Sequence, residues 1–135
     1  ATVAEKLGRD GYNAEPLHGD LTQPMRDRVM ARFRSKELQI LVATDVATRG
    51  LDIDSIDLVI NFYLSRDVEI HTHRIGRTGR AGGSGLACSL YGSKESQKVS
   101  ELENLMGIDI PRRQLPSRKL LLKKVLDDPS QRWKF

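Results

Sequence analysis

With 135 residues, 39% of them hydrophobic and 30% charged, the chain is long enough for one domain with a real core and too apolar to be disordered throughout. Its single cysteine, Cys88, excludes a disulfide framework or a cysteine-rich zinc site within one chain, and no apolar run approaches the roughly eighteen residues of a membrane span. The net charge of +4 is uneven: residues 112–135 hold eight Lys or Arg against Asp127 and Asp128, a net +6, so the rest carries −2.

Val3 to Gly11 reads as a helix with Gly11 near its C-terminal end, and Ala14 to His18 as a short strand. Gln23 to Arg34 follows as a helix whose Met25, Val29, Met30 and Phe33 recur at helical spacing and form a core stripe. Strands are expected near 39–43, 57–62 and 85–91, with a helical segment near 67–80. Cys88, in the last of these strands, is expected to be a small buried thiol. Ser93 to Met106 closes the pattern as an amphipathic helix with Val99, Leu102, Leu105 and Met106 inward, before Pro111 and Pro116 punctuate the entry to a basic tail. Such alternation predicts an α/β sandwich around a mainly parallel sheet flanked by helices, with residues 1–111 as the domain and 112–135 as a basic extension.

Two blocks carry chemistry. His73-Arg74-Ile75-Gly76-Arg77-Thr78-Gly79-Arg80 concentrates three arginines and a histidine among glycines. If helical, it puts His73, Arg77 and Arg80 on one face, a cationic fork suited to phosphate, because planar guanidinium groups bind phosphate oxygens bidentately. Upstream, Gln39 to Ala43 is a buried-strand run, Thr44-Asp45 offers oxygen groups to cap a short helical turn, and Arg49-Gly50 breaks it before Leu51-Asp52-Ile53. Ligands of open α/β sheets bind at the carboxyl ends of strands, so Thr44, Gly50 and Asp52 are placed beside a crevice.

Together the two blocks resemble motifs V and VI of DEAD-box RNA helicases, in the second of their two RecA-like domains. Leu17-His18-Gly19-Asp20 and Gln23-Pro24-Met25-Arg26 are similar to two further elements of that family, so the resemblance runs from about Leu17 to Gly82 in the expected order. It implies a RecA-like three-layer sandwich. It further implies that Arg77 and Arg80 reach the γ-phosphate of ATP bound to a partner domain, with Arg80 as the arginine finger. Asp52, beside Gly50, would hydrogen-bond the nucleotide ribose, and Gly19, Gln23, Arg26, Thr44 and Gly50 would lie along the RNA backbone without reading bases. His73 and Asp45 would couple this domain to the catalytic motifs of the other. Plainer roles stay open for several of these: Thr44 as a cap alone, Gln23 and Arg26 as a solvated pair, Asp52 as loop acidity, His18 as a structural histidine.

The resemblance also marks two departures. The family's second domain opens on an apolar strand, motif IV, whereas Ala1-Thr2-Val3 lies in or just before the first helix, so the first strand is missing from this sequence and the chain is expected to be less stable than one extended upstream by it. Neither a Gly-x-x-x-x-Gly-Lys-[Ser/Thr] loop nor an Asp-Glu-Ala-Asp run is present. ATP and Mg2+ are therefore expected to be held mainly by the N-terminal RecA-like domain of the parent protein, and this chain is not expected to hydrolyse ATP alone. RNA and that domain are the expected partners, with no metal site in this chain, no membrane, a monomeric state and an intracellular, cytoplasmic location. Two alternatives remain, a DNA-directed superfamily 2 helicase domain and a non-catalytic RNA-binding scaffold. The basic tail reads equally as an electrostatic arm for nucleic acid and as a helix packed through Leu120, Leu121, Leu122, Val125 and Leu126.

Overall fold

Thr2 caps the first helix, α1 (Val3–Arg9): its hydroxyl accepts from the Glu5 N–H at 3.3 Å, and the Glu5 carboxylate accepts from the Thr2 N–H at 2.9 Å. The computed structural model describes residues 2–51, 53, 56–79, 83–117 and 119. After Gly11 turns the chain at φ 88°, β1 (Ala14–Leu17), α2 (Gln23–Arg34, with Pro24 in its first turn) and β2 (Ile40–Ala43) form one strand–helix–strand unit. A short α3 (Asp45–Thr48) follows, then β3 (Leu58–Asn61), α4 (Val68–Ile75) and β4 (Leu86–Ser89) form a second. A 3-10 turn at Ser93–Glu95 leads into α5 (Ser96–Met106), which ends on Gly107 in the left-handed region at φ 67°.

The four strands among the described residues are parallel to their neighbours, as the alternation predicts. The strands resolve into two separate pairs: β1 lies on β2 with Ala14 opposite Ile40, and β3 lies on β4 with Leu58 opposite Leu86. Each pair is closed by its own helical crossover, the connection that parallel pairing requires. No ladder joins the two pairs among the described residues. Helix α1 packs on β1 and β2, α2 on β1, and α4 on β3 and α5.

The core forms under the first unit, where Leu17, Met30, Ala47 and Ile53 are buried together and Leu21, Val29, Phe33, Leu41, Leu51 and Ile56 close around them. The predicted α2 stripe therefore holds for Val29, Met30 and Phe33 but not for Met25, which is 51% exposed in the first turn of the helix. On α5, Val99 and Leu102 are buried while Leu105 is 69% exposed, because the helix packs through a narrower stripe than its apolar spacing offers. Cys88 is half-buried rather than enclosed.

The expected boundary near residue 111 is tied down by α5. Glu103 accepts from the Ile110 N–H at 2.8 Å and from the Arg112 guanidinium at 2.6 Å, and Arg112 also reaches the Ser100 hydroxyl at 3.1 Å. Arg112 thus belongs to the folded unit. The apolar tail residues Leu120, Leu121, Leu122, Val125 and Leu126, with Asp52, Arg80 and Gly82, lie outside the described residues.

Candidate functional site

The carboxyl ends of β1 and β2 sit side by side, since the Thr44 N–H donates to the Leu17 carbonyl at 3.4 Å. Leu17 is two residues from Gly19, so the loops carrying Gly19 and Thr44 emerge at one edge. Thr44 caps α3, its hydroxyl accepting from the Ala47 N–H at 3.3 Å. From α2, Arg26 crosses to the same short helix and donates to the Ala47 carbonyl at 2.9 Å. Arg26 is therefore no solvated partner of Gln23, whose amide instead donates to Asp27 at 2.8 Å. The Arg26 Nε is buried and has no partner among the described residues. Such a donor is costly to leave unmet.

Asp45, at the first position of α3, binds Arg74 of α4 through two parallel bonds, Nε to Oδ1 and the terminal nitrogen to Oδ2, both 2.7 Å. A third donor of the same guanidinium reaches the Tyr63 carbonyl at 2.7 Å. One arginine thus joins the ends of β2 and β3, and so the two strand pairs that no ladder connects. The Arg74 guanidinium holds the Asp45 carboxyl below its ordinary range, and Asp45 in turn raises Arg74, so the pair stays charged at neutral pH.

The predicted helical fork is corrected by the structure. Helix α4 stops at Ile75 with Gly76 as its cap, so Arg77 lies in the following turn and not on the helix face of His73. The turn is fixed from outside: the Arg77 carbonyl accepts from the Ile56 N–H at 3.2 Å, the Thr78 hydroxyl donates to the Ile56 carbonyl, and Gly79 sits at φ 67°. Tertiary bonds to Ile56 and a left-handed glycine overrule helical continuation. One nitrogen of Arg77 donates to the Leu51 carbonyl at 3.2 Å, bringing it against the residue before Asp52. His73 is exposed on α4, Gly50 turns the chain at φ 71°, and His18 is partly exposed with its ring 3.7 Å from Asp20.

Sequence reasoning missed His71 and Asn61, both 4% exposed. Asn61 donates to the Ser89 hydroxyl at 3.0 Å across the β3–β4 pair. For His71 the signal was its place one helical turn after Val68 and before Ile75, on the packed side of α4. Burial, and then the nearby Arg74 charge, hold the His71 imidazole below the ordinary histidine value of 6.5. Below about pH 6.5 the unfolded chain thus binds more protons than the folded one, so stability is full above that value and falls as pH drops towards the lowered folded value. Neither Asp45 nor Arg74 titrates in that window. The thermal midpoint should fall between about pH 7.5 and about pH 5.5, and His71→Gln should flatten the fall. An unaltered slope in the variant would assign the titration to another group.

The profile of the helicase conserved C-terminal domain matches residues 1–82. A crystal structure of the E. coli DEAD-box protein SrmB bound to regulator of ribonuclease activity A superposes with a TM-score of 0.74 at 33% identity, covering 85% of this chain and 73% of that one. The chain belongs to the helicase C-terminal domain family, in its DEAD-box group. This DEAD-box domain is also 48% identical over 108 residues to the ATP-dependent RNA helicase DbpA of Escherichia coli K12, over 80% of this chain and 24% of DbpA. It is 50% identical over 106 residues to human ATP-dependent RNA helicase DDX42, over 78% of this chain and 11% of that protein. The chain thus spans a quarter or less of the length of these two relatives.

Proposed function

We propose that this DEAD-box domain is the C-terminal half of an ATP-dependent RNA helicase, working against an N-terminal RecA-like domain of the same parent protein. The observation that carries the reading is the Arg74 joint. It links Asp45, which follows the RNA-directed Thr44, to the helix that leads directly into Arg77, so one guanidinium ties the two faces together. Closure of the two domains around ATP would use both faces at once, and RNA and nucleotide would each favour the closed state.

In this reading Gly19, Gln23, Arg26, Thr44 and Gly50 grip the RNA backbone. Arg26 serves that grip by holding the Ala47 carbonyl of α3, and the space beside Gly19 is open, a Cβ there meeting nothing within 4 Å. Gly50, Asp52, Arg77 and Arg80 are assigned to the nucleotide, with Arg80 as the finger. The Asp45–Arg74 pair and His73 couple this domain to the other. ATP supplies the phosphoryl transfer that drives the cycle; among the described residues no three His, Cys, Asp or Glu side chains group as a metal site, and Mg2+ is assigned with ATP mainly to the N-terminal domain. The isolated chain would not hydrolyse ATP, and the parent would act as a cytoplasmic monomer. No described helix is long and apolar enough to cross a membrane.

ATP turnover by the full-length parent, with and without RNA, tests the proposal. RNA-stimulated turnover supports it; turnover indifferent to RNA sends the assignment to a DNA-directed motor, and RNA binding without turnover to a scaffold. The tail gives a second check. Deleting residues 113–135, which spares the anchored Arg112, should weaken RNA binding and flatten its dependence on salt, because each phosphate neutralised adds close to one to the slope of log affinity against log salt. An unchanged slope would place the tail in a packing role.

A further inference from the structure

Gly85 and Ile56 grip the arginine-bearing turn from two sides. Ile56 lies just before β3 and Gly85 just before β4, and the ladder between those strands, with the Leu86 N–H donating to the Asp57 carbonyl at 3.1 Å, fixes both positions. Thr78 fits between them. It forms a parallel bridge with Ile56, its hydroxyl donates to the Ile56 carbonyl, and that same hydroxyl is the atom a Cβ at Gly85 would meet first. A Cβ at Gly85 would run into the Thr78 hydroxyl and sit 2.5 Å from the Gly79 nitrogen and 2.9 Å from the Thr78 Cβ. By contrast a Cβ at Gly8, Gly19 or Gly50 would meet nothing within 4 Å. Backbone held by two paired strands cannot yield, so the added methyl would push the Arg77–Gly79 turn outward.

We infer that Gly85 and Thr78 are positioning residues, a socket that sets where Arg77 points. The inference rests on the proposed role of Arg77 at the nucleotide. The socket touches no substrate. It acts through the turn that carries Arg77, and misplacement of about 1 Å can cost on the order of 10²-fold in rate.

The test is a double-mutant cycle in the full-length parent, reading kcat for RNA-stimulated ATP hydrolysis well below the thermal midpoint. Gly85→Ala and Thr78→Ala should each lower kcat about tenfold, with RNA affinity in the absence of nucleotide unchanged. In an Arg77→Ala background each should lower kcat by less than about twofold further, because the residue they position is gone. General damage to the fold would instead multiply with Arg77→Ala. Thr78→Ala adds no volume and carries the same test if Gly85→Ala does not fold. Unchanged kcat in both single variants, or losses that multiply, would overturn the socket alone. If Arg77→Ala itself leaves kcat unaltered, the role of Arg77 fails first and the socket falls with it.

Discussion

Replacing Arg80 with alanine in the full-length parent is expected to lower RNA-stimulated ATP turnover by about 10³-fold or more, while RNA affinity without nucleotide changes little. Such a loss corresponds to about 4 kcal/mol of transition-state stabilisation at roughly 1.4 kcal/mol per tenfold. A fully charged, planar group aimed at a phosphoryl group in transit supplies that much only where water is excluded and the donor is already in place. Arg80 lies outside the described residues, so its aim rests on sequence; Arg77, three residues earlier, is tied through its carbonyl to Ile56 and through its side chain to Leu51. Arg80→Lys should recover little, since an ammonium has the charge but not the two-pronged geometry. Equal kcat in wild type and Arg80→Ala, with RNA stimulation preserved, would move the finger role elsewhere.

The second large effect is on stability. Leu17 is fully buried at the end of β1, in contact with the cluster of Met30, Ala47 and Ile53. Leu17→Ala should destabilise the chain by about 3 kcal/mol, the sum of lost apolar transfer and an unfilled cavity. Leu105→Ala, at a side chain 69% exposed, should change stability by less than about 0.5 kcal/mol. Urea unfolding of the chain measures both, and equal midpoints for the two variants would contradict this account of the core. The Leu17 carbonyl also holds the Thr44 N–H, so the same cavity should loosen the edge from which Gly19 and Thr44 emerge.

How much was legible in the sequence follows a physical line. The α2 boundaries agree with the sequence reading because Pro24 and a 3.6-residue stripe act within one segment. Thr44 was legible as a cap for the same reason, its bond reaching only to Ala47. Arg77 was misplaced onto a helix because Gly76 and Gly79, the local breakers, were outweighed in the reading by helical spacing, while the bridge to Ile56 that fixes the turn comes from more than twenty residues upstream. Gln23 and Arg26 read alike as neighbours on one helix. Only packing separates them, sending Arg26 to the α3 carbonyl and leaving Gln23 on the surface.

By itself the sequence determined the family and the alternation of strands and helices, because motif spacing and short-range periodicity encode those directly. The tertiary structure alone decided that Asp45 is bound to Arg74, that Arg74 joins the two strand pairs, that His71 is buried, and that Gly85 lies close against Thr78 and Gly79. Each of these depends on atoms brought together from segments distant in the chain. A hydrogen bond, a desolvated imidazole or a crowded Cβ exists only once both sides of the contact are in place.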